Sequence, residues 1–198
     1  MAKKGNGVLT IGHSTLPLAT FLTRLEREGV TEVADVRSAP FSRRVPHFNR
    51  DDIRTTLKER GIEYVFLGEA LGGRPCASHL YCDGVADYGK MALEPRFLEG
   101  IDRVIGGAKE HAVALMCAEH NPLDCHRCLL VGRALSERHV SLGHILGNGE
   151  VAGQLDIEEK LLALAGSATG DMFATREERL VRAYRLRASK VAYRQAVR

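Results

Sequence analysis

The sequence lacks the features that mark membrane proteins and small secreted proteins. It has no run of about 18 apolar residues, the length that a membrane-spanning helix needs. Residues 1–7 contain no apolar signal region, and the five cysteines are odd in number and too sparse for a secreted disulfide framework. We therefore expect reduced thiols, a cytoplasmic location and no membrane partner.

Internal repeats and low-complexity segments are also absent, and the composition is that of a soluble globular chain. Hydrophobic residues make up 44% and charged residues 27% of the 198 residues. The net charge of +3 is unevenly distributed, because residues 171–198 hold eight Lys/Arg and three Asp/Glu, a net +5, whereas the remainder has a net −2. We expect an α/β domain over residues 1–150 and a C-terminal helical extension over 151–198, basic from about residue 171.

Short apolar runs alternate with helical patterns along the first 150 residues. The runs predict buried strands at residues 8–13, 30–36, 62–67, 112–117 and 140–145. The helical patterns lie at residues 17–28, 49–60, 97–105, 125–138 and 156–164, with a last one from about residue 175. This alternation predicts a three-layer α/β sandwich with a mainly parallel, Rossmann-like sheet, followed by a C-terminal basic helix.

The stretch at residues 68–95 has no clear periodicity. Its length predicts an excursion over the edge or mouth of the sheet. Tyr81 and Tyr88 within it either line a site or pack.

Polar side chains follow four of the predicted strands. Because ligands of open parallel sheets bind beyond the carboxyl ends of the strands, these side chains predict one site at that rim. The groups are His13 and Ser14; Asp35, Arg37, Ser42 and Arg43; Cys117, Glu119, Cys125, His126 and Arg127; and His144.

Cys125 is the best candidate for a nucleophile, because it begins a predicted helix beside His126 and Arg127. The helix dipole and neighbouring cations stabilise a thiolate there. We expect His126 or His13 to carry the proton, with Cys117 and Glu119 in the same catalytic group. The alternative is that the cysteines simply pack as small apolar side chains.

Two further interpretations use the same residues. Cys125-His-Arg-Cys128 has the C-x-x-C spacing of redox helices. A zinc site would take Cys117, Cys125, and His126 or Cys128, with His13 or His144 from neighbouring strands, although only one ligand pair is visible in the spacing.

The arginines of the second rim loop predict recognition of an anion. Arg37, Arg43 and Arg44 lie close together in the sequence, and guanidinium groups bind phosphate or carboxylate through paired hydrogen bonds. We expect Ser14, Asp35, Ser42 and Arg127 to share this substrate-binding role. Alternatively, Asp35 and Arg37 form an ion pair that orders the loop.

Four stretches of the chain resemble the domain of unknown function 488 family of small prokaryotic proteins over about residues 9–149. They are Thr10-Ile-Gly-His-Ser14; Asp35-Val-Arg37-Ser-Ala-Pro40 with Ser42-Arg43; Leu71-Gly72-Gly73; and Cys117-Ala-Glu119 with Cys125-His126-Arg127 and His144-Ile145. The resemblance implies no particular reaction, substrate or cofactor. It does imply a family role for Gly12, Pro40 and the rim residues, and Cys128 is not among its motif positions, which weakens the redox interpretation.

The last helical pattern carries an apolar stripe among basic residues. Leu180, Tyr184, Ala188 and Val191 form the stripe, and the arginines and Lys190 surround it. It is either a docked terminal helix or an arm for nucleic acid, and no helix-turn-helix, zinc-finger or RNA-binding signature accompanies it.

The sequence as a whole predicts a thiol-dependent hydrolase or transferase acting on an anionic, nucleotide-like substrate. The alternatives are a nucleic-acid-associated binding protein and a structural metal site in the same cysteine and histidine residues.

Overall fold

A computed structural model describes residues 7–166 and 174–195 and confirms the α/β class. Its strands are β1 (Gly7–Gly12), β2 (Glu32–Asp35), β3 (Glu63–Phe66), β4 (Tyr81–Cys82), β5 (Val85–Ala86), β6 (Val113–Cys117), β7 (Ser141–Ile145) and β8 (Val151–Gly153). Six of them form one sheet in the order β3-β2-β6-β1-β7-β8, parallel except for β8, and β4 pairs with β5 in a separate hairpin. All five predicted strands overlap parallel strands of this sheet.

The helices cover both faces of the sheet. They are α1 (Leu18–Arg27), α2 (Arg50–Glu59), α3 (Gly68–Leu71), α4 (Tyr88–Met91), α5 (Pro95–Gly107), α6 (Arg133–Ser136), α7 (Gln154–Leu164) and α8 (Arg176–Val191). One core cluster joins Ile11 to Phe21 and Ile53 of α1 and α2, and the other joins Leu115 to Ile101 of α5 and Leu161 of α7. Burial on both faces explains why the parallel strands read as continuous apolar runs.

The helix predicted at residues 125–138 has two parts. Arg127–Gly132 is a π-helix, and only Arg133–Ser136 is α-helical. Periodicity cannot reveal this change, because the side chains of Leu129 to Val131 are all buried. Short π-helical segments often occur at functional sites.

The stretch at residues 68–95 is folded rather than irregular, with α3, the β4–β5 hairpin and α4 along it. The C-terminal segment pairs with this hairpin. Ala86 N donates to Tyr193 O at 2.9 Å, Gln195 N donates to Gly84 O at 2.8 Å, and Arg194 forms a bridge with Val85. The chain end is therefore attached to the excursion that lies beyond the sheet.

The C-terminal helix α8 docks on the body along its apolar stripe. Tyr184 is buried, and Leu180, Ala188 and Val191 are partly buried against the same core cluster. Residues 171–173 and 196–198 of the predicted basic segment lie outside the described residues. None of the helices in the described ranges is long and apolar enough to cross a membrane.

Candidate functional site

The carboxyl end of β6 and the start of the π-helix bring two cysteines, a histidine and a glutamate together. Cys117 Sγ donates to Glu119 Oε2 at 3.0 Å, and Cys125 Sγ donates to the same oxygen at 3.2 Å. His126 Nδ1 lies 3.6 Å from the sulfur of Cys117 and 3.9 Å from that of Cys125. We call these four residues the Cys/His cluster.

The imidazole of His126 is oriented by its other nitrogen. Nε2 lies 2.8 Å from the carbonyl oxygen of Val36, which can only accept, so Nε2 carries a proton and Nδ1 faces the sulfurs. Gly73 lies against the ring, since a Cβ there would come within 2.7 Å of His126 Cγ. This contact explains the glycine at position 73, whereas a Cβ at Gly72 would lie 2.3 Å from Gly68 O and from Ser38 Oγ.

Cys125 directly precedes the helical residues, and its carbonyl oxygen accepts a hydrogen bond from the first turns of the helix. Leu129 N donates to its carbonyl oxygen at 3.0 Å, and Arg127 N donates to its sulfur at 3.4 Å. Burial opposes the thiolate, but the hydrogen bond from Cys117 and the charges of Arg127 and His126 hold the pKa of Cys125 well below its ordinary value. Burial, the hydrogen bond with Cys125 and the charges of Cys125 and Glu119 raise the pKa of Cys117.

Arg127 is fully buried and holds the loop that carries Glu119. Its Nη1 donates to Glu119 O at 2.5 Å and its Nη2 to His120 O at 3.0 Å. A Cβ at Gly12 would lie 1.8 Å from the same Glu119 carbonyl oxygen, so glycine is required there. Arg127 therefore positions the cluster, and its substrate-binding role stays a prediction.

The Gly-His-Ser stretch extends the pairing of β1 beyond the sheet. His13 N donates to Cys117 O and Ser14 N to Ala118 O, both at 2.9 Å. The ring of His13 stacks on Phe48 with centroids 4.3 Å apart. These contacts fix the backbone that leads from β6 to Glu119.

The guanidinium of Arg37 is held by two neighbours, Asp35 and His13. It forms two hydrogen bonds with Asp35, Tyr64 donates to Asp35 at 2.7 Å, and Arg37 Nη1 lies 3.1 Å from His13 Nε2. His13 Nδ1 lies 2.9 Å from the carbonyl oxygen of Ser14. Burial and the charge of Arg37 lower the pKa of His13 to about 4, so His13 is neutral at pH 7 and orients Arg37.

A cavity of about 230 Å³ opens between the Cys/His cluster and the arginines. Its wall contains Arg37, Ser38, Ala39, Gly73, Arg74, Tyr88, Cys117, Ala118, Glu119, Asp124, His126, Val191 and Tyr193. Cys125 lies directly behind this wall, with 1% of its surface exposed.

The sequence did not identify Arg74, Val191 and Tyr193 as site residues. The guanidinium of Arg74 lies 5.0 Å from the ring centroid of Tyr193. Arg74 directly follows Gly72-Gly73, and this motif was the feature of the sequence that could have identified it as a site residue. Val191 and Tyr193 come from the distant C-terminal segment. Val191 belongs to the apolar stripe predicted for the last helix, which indicates docking rather than a site, and no local pattern marks Tyr193.

Other predicted site residues lie away from the cavity wall. Ser42 Oγ accepts from Arg44 N and Val45 N, and Arg43 is exposed in the same loop. Ser14 lies on the connection after β1 with a φ of 46°. Cys128 is packed in the core, where burial raises its pKa to about 12.

His144 belongs to a buried network rather than to the Cys/His cluster. It contacts Thr10 at 2.9 Å and Gln154 at 2.8 Å, and Gln154 donates to Tyr184 at 2.7 Å. This network joins β1, β7, α7 and α8.

One comparison with known proteins gives a match. The family model described as domain of unknown function DUF488 matches residues 17–134. This range is narrower than residues 9–149, over which the sequence resembles the family, and it leaves out the Gly-His-Ser stretch and His144. No curated protein and no solved structure matches the chain.

Proposed function

Since the chain belongs to the DUF488 family, which is defined by a domain of unknown function, we propose its activity from the site itself: a thiol-dependent hydrolase or transferase for a small anionic substrate. One observation carries the proposal. Cys117, Glu119 and His126 border the same cavity as Arg37 and Arg74. Groups able to do chemistry and groups able to bind an anion thus face one space.

Arg74 is the group best suited to bind the anion. Arg37 is already paired with Asp35, and Asp124 on the opposite wall is paired with Arg187. Among the described residues, no ion pair includes Arg74, and its side chain is exposed over Tyr193. An incoming phosphate or carboxylate would find an uncompensated guanidinium there.

The size of the cavity favours a small molecule over a polymer. Its volume of about 230 Å³ is below the roughly 300–1,000 Å³ of drug-sized ligand pockets.

The docked helix α8 has fewer charges available for nucleic acid than its sequence indicates, because Arg176 and Arg187 form ion pairs with Glu158, Glu159 and Asp124. The nucleic-acid alternative remains a prediction that needs its own test.

The direct nucleophile mechanism assigns the attack to Cys125. The hydrogen bond from Arg127 N and the lowered pKa of Cys125 favour loss of the proton that Cys125 donates to Glu119, which leaves a thiolate in the metal-free protein. In this mechanism the sulfur would bond to an acyl or phosphoryl centre while the bond to the leaving oxygen breaks. Burial opposes a charge on His126, but its contact with Cys125 raises its pKa, so a doubly protonated His126 would give its Nδ1 proton to that oxygen. Water would then attack the sulfur-bound intermediate and free the thiolate again. The side chain of Cys125 would first have to turn into the cavity, because Cys117 lies on the wall and Cys125 does not.

Hydrolysis of chromogenic esters by the full chain tests the proposed function. We expect turnover of p-nitrophenyl phosphate or p-nitrophenyl acetate, and we expect Cys117→Ser and Cys125→Ser to abolish it. Binding of inorganic phosphate should weaken about tenfold in Arg74→Ala, the loss of roughly one charge-assisted hydrogen bond.

Two exposed positions supply matched controls. Arg54 and Cys82 lie outside the cavity wall, so Arg54→Ala and Cys82→Ser should change neither measurement. Turnover that survives both cluster variants would contradict the proposal. Failure to bind phosphate together with inactivity on both esters would also contradict it.

A further inference from the structure

We propose that Cys117, Glu119, Cys125 and His126 bind one divalent metal ion of the zinc class, with Glu119 as the displaceable ligand. The inference rests on the proposed function, because it gives the sulfurs of that site their chemical role. The four ligand atoms lie within 4.8 Å of one another.

The distances within the Cys/His cluster fit a tetrahedral ion. Zinc bonds of about 2.3 Å to sulfur and about 2.05 Å to nitrogen place those ligand atoms about 3.6 Å apart. His126 Nδ1 lies 3.6 and 3.9 Å from the two sulfurs. The same bond lengths place sulfur and a carboxylate oxygen about 3.6 Å apart, and Glu119 Oε2 is closer, at 3.0 and 3.2 Å, because the thiols donate to it.

Metal binding replaces those thiol protons. The ion forms bonds to both sulfurs, each sulfur keeps its electron pair as a thiolate ligand, and the remaining thiol protons pass to solvent. Glu119 then needs to move by only about half an ångström to reach the tetrahedral distance. Its side chain is exposed and free to make that adjustment.

The groups around the cluster hydrogen-bond or pack against the ligand side chains and hold them in place, as the neighbours of ligands do in metal sites. Val36 O accepts from His126 Nε2, which fixes the tautomer with Nδ1 towards the sulfurs. Arg127 N donates to Cys125 Sγ, and Gly73 holds the imidazole in place. Within the described ranges, His126 Nδ1 has hydrogen-bond contacts only with the two sulfurs.

The ligand set selects the class of ion. Two thiolates and an imidazole favour zinc over magnesium or calcium, which prefer oxygen ligands. Cys117, Cys125 and His126 are buried, whereas Glu119 is exposed on the cavity wall. A site with three buried ligands and one exposed carboxylate can exchange that carboxylate for water or a substrate oxygen, as catalytic zinc sites do.

Cobalt titration of the metal-free full chain tests this site. We expect saturation at one Co²⁺ per chain, with thiolate-to-cobalt charge-transfer bands and the strong visible bands of tetrahedral cobalt, and displacement by Zn²⁺. Cys117→Ser and Cys125→Ser should each weaken the charge-transfer bands. Glu119→Gln should retain them with lower affinity, and Cys76→Ser and Cys82→Ser should match the wild type.

A second measurement needs no substitution in the Cys/His cluster. Zn²⁺ should protect Cys117 and Cys125 of the wild type from alkylation, mapped by mass spectrometry, and leave the exposed Cys76 and Cys82 equally reactive. Absence of charge-transfer bands together with absence of protection would overturn the metal site.

The two proposals fail in different ways. If the protein binds no metal and still hydrolyses esters in a reaction that depends on Cys125, the metal site is overturned. The proposed function then stands, with Cys125 as the direct nucleophile. Stoichiometric metal binding by a protein that neither binds phosphate nor hydrolyses esters would support the metal site and overturn the proposed function.

Discussion

At the residue scale, the orientation of His126 depends on the absence of a side chain at Gly73. In Gly73→Ala the new Cβ would lie 2.7 Å from His126 Cγ, so the ring has to move. We expect a loss of about 1–3 kcal/mol in the free energy of unfolding and roughly a 10–100-fold loss in cobalt affinity. Urea unfolding and cobalt titration measure the two effects.

The control for this variant is Gly106→Ala in α5. A Cβ at Gly106 meets no atom within 4 Å, so the substitution should be neutral or slightly stabilising. Equal effects of the two substitutions would show that contact with His126 is not what matters at Gly73.

Arg127 is a second position where only one side chain fits, because its contacts require a guanidinium group. Its two carbonyl contacts need the forked guanidinium, and lysine can satisfy only one of them. We expect Arg127→Lys to cost about 1–3 kcal/mol, because the buried side chain loses one of its two charge-assisted hydrogen bonds to carbonyl oxygens. Urea unfolding checks this, with Arg54→Lys on the exposed face of α2 as the control; an unchanged midpoint for Arg127→Lys would contradict the positioning role.

The sequence could predict the Cys/His cluster because its members are local. Cys117, Glu119, Cys125 and His126 all lie within ten residues after the end of one apolar strand. Arg74 and Tyr193 could not be found in this way, because the folded excursion and the chain terminus bring them to the cavity from distant positions in the sequence.

At the element scale, α8 completes the cavity wall through Val191 and the following Tyr193. Arg187 fixes the helix by donating to Leu123 O at 3.0 Å and pairing with Asp124. We expect Arg187→Ala to speed hydrogen exchange of α8 amides about tenfold, equivalent to roughly 1.4 kcal/mol. Arg182, exposed on the same helix, gives the control Arg182→Ala; equal exchange in both variants would contradict anchoring by Arg187.

The central strands β2 and β6 were predictable because every one of their residues is buried, which leaves continuous apolar runs. The antiparallel β8 and the hairpin strands β4 and β5 were not predicted, because each has only two or three residues and no usable period. The π-helix was missed because burial of all its side chains removes the polar face that would reveal its pitch.

At the scale of the whole molecule, the docking of α8 limits what its charge can do. Arg176 and Arg187 are paired, while Arg182, Arg185 and Lys190 are exposed. We expect the double variant Arg182→Glu/Arg185→Glu to keep its phosphate binding and to lose little retention on heparin. A steep loss of retention on heparin, together with a weaker dependence of heparin binding on salt concentration, would instead favour the nucleic-acid alternative.

The pH dependence of stability is set partly by two buried histidines, His13 directly after β1 and His144 on the neighbouring strand β7. Burial lowers the pKa of His13 and of His144 from 6.5 to about 4 in the folded chain. Between these values the unfolded chain binds more protons, so stability is full above pH 6.5 and is lost as the pH falls towards 4. Each histidine should contribute roughly 2 kcal/mol of the loss between pH 7.5 and pH 5.

Urea unfolding at the two pH values measures this loss of stability. The loss should shrink in His144→Asn and stay unchanged in His139→Asn, whose histidine is exposed. The same pH dependence in His144→Asn as in the wild type would show that His144 titrates normally in the folded protein.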